Sequence, residues 1–242
     1  QRIHVAAIAH RGEHLHHPEN TLPAYRAAID VGADFIETDV RTTADGKLVI
    51  QHDSTVNRCT NGAGTIATMS LAQIRALDAG IKTGPWFAGT KVPTFDEVLD
   101  LAHGRIGVYV DSKDISAANL VAALDRHDMA DHVVVYGKFS LMKNIAALRP
   151  GIRLMPEANS AETAQRLIGT LHLRVLAFDA RDFQDDVIAV ARAAKVALYV
   201  DRLGDADNPR SWQDAIDRGS TGIQTNLPGE LVEYLRSKGY HR

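Results

Sequence analysis

Short apolar runs alternate with amphipathic stretches from one end of the chain to the other, and this alternation restricts the fold more than any other feature. Residues 5–9 are β-like and lead to helical spacing over 22–31, closed by Gly32. Residues 35–40 are β-like again, and 48–51 continue that strand after a turn at Asp45-Gly46. Thr94-Phe95-Asp96-Glu97 reads as a capping box that opens a helix to about Ala102. Strand and helix then succeed one another at 106–110 and 117–126, 133–136 and 141–148, 152–155 and 161–168. The same succession continues at 175–178 and 187–194, 196–200 and 212–218, 222–225 and 231–238. Buried parallel strands read as short apolar runs because other elements cover both faces. Eight strand–helix units in 242 residues predict an α/β chain folded as a (β/α)8 TIM barrel, with a doubly wound open sheet as the competing arrangement.

The stretch 54–92, rich in Gly, Thr and Asn, is too long for an ordinary connection. It reads as an inserted segment over one barrel end within an otherwise single domain, 1–242. Residues of the AVILMFWYC set make up 45% of the chain and charged residues 24%, which excludes a disordered or fibrous protein. A formal net charge of −3 argues against holding nucleic acid by bulk electrostatics, but leaves room for a small anionic substrate held by local cations. No apolar run reaches the roughly 20 residues a membrane span needs. Cys59 is the single cysteine, so neither an intramolecular disulfide nor a multi-cysteine metal site can form. The chain starts at Gln1 rather than Met, which tilts the expectation towards a periplasmic or secreted protein ahead of a cytoplasmic one. The sequence carries no signal for oligomeric state.

In a barrel the C-terminal strand ends build the active site. The first strand ends in His10-Arg11-Gly12. The second carries Glu37 and Asp39, two apart and therefore on one side. Its extension ends in His52-Asp53, and the third strand ends in Asp111-Ser112-Lys113. Glu37, Asp39 and Asp111 are hard oxygen donors suited to one divalent cation, Mg²⁺ or Ca²⁺, without which three inward carboxylates would repel one another. Arg11 and Lys113 offer positive charge for a phosphate. His10 and His52 are candidates for general acid and base. Singly, each group has a bland reading as a solvated histidine or a local ion pair; together on consecutive strand ends they point to phosphoester chemistry.

His10-Arg11-Gly12, Pro18-Glu19-Asn20-Thr21 and the run from Gly32 to Val40 resemble the glycerophosphodiester phosphodiesterase family. The resemblance continues through Asp45-Gly46, His52-Asp53, the run from Arg58 to Gly64, the run from Pro93 to Leu99, and the run from Gly222 to Pro228. It implies a TIM barrel, a divalent cation, and hydrolysis of glycerophosphodiesters, small-molecule substrates, to glycerol 3-phosphate and an alcohol. It further implies His10 and His52 as the acid–base pair, Glu37 and Asp39 as metal ligands, and Arg11 and Lys113 as phosphate contacts. The segment 54–92 resembles the small insertion that caps the barrel and helps hold the glycerol end. The nucleophile is either water or the glycerol 2-hydroxyl by way of a cyclic phosphate.

Three positions depart from the family pattern. Asp111 stands where a Glu ligand is usual. Tyr199-Val200-Asp201 lacks a tryptophan–threonine pair, and Asn226 stands where Asp is expected. The last two bear on the leaving-group pocket. Glu157, after the fifth strand, is a further candidate for metal or substrate contact, or else a partner of a nearby cation. His14, His16 and His17 suggest a second metal less well than a solvated loop. Trp86 and Phe87 are expected either to wall the pocket or to form the small core of the insertion, and Cys59 to be inert. Two alternatives compete: a phospholipase D-like enzyme acting on sphingomyelin or lysophospholipids, which the long insertion disfavours, and a non-catalytic barrel that only binds phosphorylated ligands, which the intact histidine pair disfavours.

Overall fold

The computed structural model describes residues 3–242. The chain runs β1 (Ala6–Ala9), α1 (Leu22–Val31), β2 (Phe35–Thr42), β3 (Leu48–Ile50), α2 (Leu71–Arg75), α3 (Phe95–Ala102), β4 (Gly107–Ser112), α4 (Ala117–Arg126) and β5 (Val133–Tyr136). It continues with α5 (Phe139–Leu148), β6 (Arg153–Leu154), α6 (Ala161–Leu171), β7 (Val175–Phe178), α7 (Asp185–Ala193), β8 (Ala197–Asp201), α8 (Pro209–Asp217), β9 (Gly222–Thr225) and α9 (Pro228–Lys238). Parallel pairing follows the order β6-β5-β4-β2-β1-β9-β8-β7. The ring closes through a single parallel bridge between Glu157 and Ala177, where the Ala177 N–H donates to the Pro156 carbonyl at 3.0 Å. The eight-unit barrel expected from the sequence is the fold. β3 returns antiparallel on the end of β2, pairing Ile50 with Val40, through the turn at Asp45-Gly46 where Gly46 takes φ 74°.

Side-chain alternation splits the core into two layers. Ala7, Ala9, Ile36, Val108, Val110, Val133 and Val135 face outward against the helices. Ala6, Ile8, Phe35, Tyr109, Val134, Met155, Val175 and Ala177 face inward, with Tyr199 packed against them. The inward layer is tight. A Cβ at Gly107 would sit 2.5 Å from the Phe35 ring, and one at Gly222 would sit 2.4 Å from the Tyr199 ring. Those two rings meet edge-on at 6.1 Å and floor the barrel.

Helix starts differ from the apolar pattern in a consistent way. α7 opens at Asp185 and α8 at Pro209, ahead of the first apolar position, because a polar first turn suits the helix N-terminus. The Thr94 capping box forms as expected: the Thr94 hydroxyl accepts from the Glu97 N–H, and Glu97 accepts from the Thr94 N–H. Residues 54–92 pack on their own small cluster of Val56, Ile66, Ile74, Ala79 and Val92, joined to the barrel through Val49 of β3. Neither role expected for Trp86 holds, since it is 93% exposed; the insertion builds its core from aliphatic residues instead. Phe87 packs edge-on against His17 at 5.4 Å. Among the described residues, no helix is long and apolar enough to cross a membrane.

Candidate active site

Alternation along each strand decides what reaches the pocket. Phe35 faces inward, so Glu37 and Asp39 do too. Tyr109 carries Asp111 with it on β4, Val134 carries Tyr136 on β5, and Tyr199 carries Asp201 on β8. The inward layer is apolar below and polar at the C-terminal rim. His10, Arg11, Glu37, Asp39, His52, Asp111, Lys113 and Glu157 all line one cavity there.

Glu37, Asp39 and Asp111 each offer an oxygen, and these oxygens all lie within 4.8 Å of one another. Asp39 and Asp111 are cross-strand partners in the β2–β4 ladder. Glu37 and Asp39 are almost fully buried. Burial, together with the charges of Asp39 and Asp111, pushes the Glu37 carboxyl well above its ordinary range. Burial raises Asp111 as well, against the opposing pull of Lys113. The Lys113 ammonium lies 2.6 Å from Asp111 and 3.0 Å from Asp39. Burial works against its charge, but the two carboxylates prevail and raise its pKa. Three hard oxygen donors share this buried site with two cations, Lys113 and the Arg11 guanidinium, whose Nε lies 3.6 Å from Asp39, and one negative charge stays uncompensated. That donor set fits a hard divalent cation, and the shorter Asp111 stays within reach of the other two.

Backbone groups and neighbouring side chains hold these carboxylates in place. Arg11 takes the left-handed conformation, φ 55°, which aims its N–H at Glu37 Oε2 at 2.8 Å. Asn20, also left-handed at φ 56°, donates from Nδ2 to Asp39 Oδ2 at 2.7 Å, and accepts from the Tyr25 hydroxyl at 2.8 Å. Arg11 Nη1 donates to Glu19 at 3.2 Å, and its buried Nε has no hydrogen-bond partner among the described residues. That Nε faces the Asp39 carboxylate at 3.6 Å, so the guanidinium is an ion-pair partner of the carboxylates as well as a cation on the pocket wall.

Both histidines are anchored through Nδ1. His10 Nδ1 donates to Asn226 Oδ1 at 2.7 Å. Burial, with the Asn226 bond acting in opposition and Arg11 reinforcing it, lowers His10 to about 4, so the ring is neutral at pH 7. His52 Nδ1 donates to Asp53 at 2.9 Å. Asp53 is held by Arg58 at 2.8 Å, and Arg58 in turn forms a two-pronged pair with Glu19, both bonds 2.8 Å. The Arg58 bond, outweighing burial, keeps Asp53 far below the usual carboxylate range. Arg58 belongs to the inserted segment and Glu19 to the loop after β1, so this chain of charges ties the insertion to the barrel beside His52.

All the predicted site residues therefore meet in one pocket. The sequence reading missed Asn20, Asn226 and the Glu19–Arg58–Asp53 chain as supports, although their motifs were visible. It named Asp201 only within a strand end that bears on the leaving-group pocket, and it missed Asp179 and Gln224; all three line the same cavity from the opposite wall. Burial raises Asp201 to about 7, with Asp179, Glu157 and Asp111 adding to the shift. Glu157 accepts from the Tyr136 hydroxyl at 2.6 Å. His16 and His17 turn towards Glu13, at 2.9 and 2.6 Å, and His14 donates to the His10 carbonyl at 2.8 Å. Burial pushes the Cys59 thiol up to about 11, consistent with an inert side chain.

A barrel that brings hard oxygen donors, two oriented imidazoles and two cations together at its strand ends is an enzyme fit for phosphoester chemistry. The particular family follows from its relatives: the chain belongs to the glycerophosphoryl diester phosphodiesterase family, whose pattern matches residues 10–203. It is similar to the glycerophosphodiester phosphodiesterase of Caldanaerobacter subterraneus subsp. tengcongensis, 32% identical across 96% of this chain and 98% of the relative. It is also similar to the glycerophosphodiester phosphodiesterase of Bacillus subtilis, 29% identical across 98% of this chain and 87% of the relative. Among solved structures, the glycerophosphodiester phosphodiesterase of Agrobacterium tumefaciens superposes with a TM-score of 0.84 at 28% identity, over 93% of this chain and 97% of that one.

Proposed function

We propose that this protein hydrolyses small glycerophosphodiesters to glycerol 3-phosphate and an alcohol, using a divalent cation, Mg²⁺ or Ca²⁺, held by Glu37, Asp39 and Asp111. Family membership supports the substrate class. The mechanism rests above all on two imidazoles, each anchored through Nδ1, lining the cavity that also holds the carboxylate triad.

The cation, when bound, supplies positive charge that polarises the phosphoryl oxygens. Arg11 and Lys113 add fixed positive charge at the same end of the barrel and orient the phosphate. His10, neutral and backed by an amide oxygen, takes the proton from the nucleophile at Nε2. The nucleophile is water or the glycerol 2-hydroxyl. His52, backed by the Asp53 carboxylate, gives a proton from Nε2 to the departing alkoxide. The segment 54–92 caps the mouth of a single-domain barrel and, through Arg58, keeps the Asp53–His52 pair in line. This insertion also supports a glycerophosphodiesterase over a phospholipase D-like enzyme.

Release of glycerol 3-phosphate from glycerophosphocholine, measured with added Mg²⁺ or Ca²⁺ and again with excess chelator, tests the reading. Turnover that needs the cation and falls in both His10→Ala and His52→Ala is the expected result. Absence of turnover with either ion would refute it.

A further inference from the structure

The wall formed by β6, β7 and β8 faces the triad across the barrel, because these strands lie opposite β2 and β4 in the ring order. It carries Glu157, Asp179 and Asp201 into the same cavity. Among the described residues their only ion-pair partner is Arg181, which reaches Asp179 at 3.2 Å and is itself 79% exposed. Arg202, next to Asp201 in sequence, turns away to the Phe183 ring and to Asp214. Gln224 stands in register with Asp201 on β9 and lines the same cavity. It is only 6% exposed, yet its Oε1 has no donor among the described residues. A buried amide oxygen without a donor is costly unless a ligand supplies the hydrogen.

We propose that Glu157, Asp179, Asp201 and Gln224 form a cation subsite that selects glycerophosphodiesters whose leaving alcohol carries an ammonium group. The proposal rests on the phosphodiesterase reading above. In such a substrate the glycerol phosphate half carries only hydroxyls and an anionic phosphoryl group. Positive charge can therefore enter only on the other alcohol, and a negative wall reads that half. An ethanolamine-type ammonium, a few bonds from the ester oxygen, offers N–H donors for Gln224 Oε1 and charge for the carboxylates. Tyr136 adds an aromatic ring on the same side, and its hydroxyl fixes Glu157. Glu157 and Asp179 do gather with Asp182, their oxygens within 4.8 Å of one another, but Asp201 and Gln224 lie outside that group, and an organic cation spanning the wall uses all four acceptors where a compact metal ion would leave these two unused.

The test compares kcat/KM on glycerophosphoethanolamine and glycerophosphocholine with that on glycerophosphoglycerol, which has an uncharged leaving alcohol. The full chain with saturating divalent cation is used. The parent is expected to favour glycerophosphoethanolamine by about tenfold, the scale of one charge-assisted hydrogen bond, and glycerophosphocholine, which brings charge but no N–H donor, by less; Asp201→Asn should remove most of both ratios while Asp201→Glu restores them. Asp179→Asn, at the more exposed rim, serves as the second variant should Asp201→Asn fold poorly. Comparable turnover of all three diesters by the parent would overturn the subsite and leave the phosphodiesterase reading standing. If no diester is turned over, calorimetric titration with choline chloride and ethanolamine decides separately. Saturable binding lost in the variants supports the subsite, and its absence overturns it. Two divalent ions per chain, the second lost in Asp179→Asn, would show a metal site at Glu157, Asp179 and Asp182 and overturn the ammonium assignment.

Discussion

His10 Nδ1 donates to Asn226 Oδ1 at 2.7 Å, joining the end of the first barrel strand to the end of the last. The partner is a neutral amide, not a carboxylate. Burial outweighs the modest support that the amide oxygen gives the charged ring, and His10 lies at about 4. Asn226→Asp should reverse that balance, because a carboxylate at hydrogen-bond distance favours the imidazolium by about 1–3 pH units. A raised His10 loses its neutral form at higher pH. The acid limb of kcat/KM should therefore move upward in the variant, with the alkaline limb little changed. Profiles of kcat/KM against pH on glycerophosphocholine check this. An unmoved acid limb would mean that His10 does not work as the neutral form.

Proton competition should govern cation binding. Burial and the neighbouring carboxylates raise Glu37, and burial raises Asp111, so protons compete with a cation for these oxygens more strongly than at free carboxylates. Affinity should fall by about tenfold per pH unit for each proton displaced, as pH drops through the raised range. Calorimetric titration with Mg²⁺ or Ca²⁺ between mildly acid and neutral pH measures it. Glu37→Gln should weaken binding strongly, and excess chelator should abolish turnover reversibly.

The barrel floor makes a prediction about stability. A Cβ at Gly222 would press into the Tyr199 ring and one at Gly107 into the Phe35 ring. Neither ring can retreat, because each packs on the other. Gly107→Ala and Gly222→Ala should each cost about 1–3 kcal/mol, the usual penalty for overpacking. Urea unfolding reads the loss. A variant as stable as the parent would show that the floor can relax.

Strand and helix identities were legible because each buried face repeats its own period, and Glu37 with Asp39 could be placed on one side from their spacing alone. Helix starts such as Asp185 and Pro209 were not, since a polar first turn carries no apolar signal. Trp86 misled for a related reason: an aromatic side chain predicts burial only on average, and here Val56, Ile66 and Ile74 supply the core of the insertion. Asn20 and Asn226 could be read as motif residues but not as partners. Their bonds to Asp39 and His10 depend on left-handed backbone and on strands distant in sequence. Asp201 and Gln224 needed the register of β8 on β9, which no local pattern encodes.

The Glu19–Arg58 pair should tie stability to pH. Although burial alone would raise Glu19, the Arg58 bond and the charges of Arg11 and Arg58 prevail and lower it from 4.5 to about 2. A carboxyl depressed on folding stabilises the folded state above its unfolded pKa, and that contribution fades as pH falls towards the folded value. The stabilisation should therefore be complete above about pH 4.5, and nearly gone at about pH 2. Glu19 is 18% exposed, so screening is modest, and the contribution at neutral pH is on the order of 2–3 kcal/mol. Denaturant unfolding of the parent and Glu19→Gln should give curves separated by that amount from pH 7 down to about 5, converging below. The same variant frees Arg58 and loosens Asp53 behind His52, so kcat should fall at pH 7 even though Glu19 touches neither histidine. Arg58→Ala should reproduce the loss of kcat, and combining the two changes should cost little more than either alone, because both break one chain of contacts. Additive losses in the double variant would show that Glu19 and Arg58 act separately, and that the inserted segment does not position His52 through them.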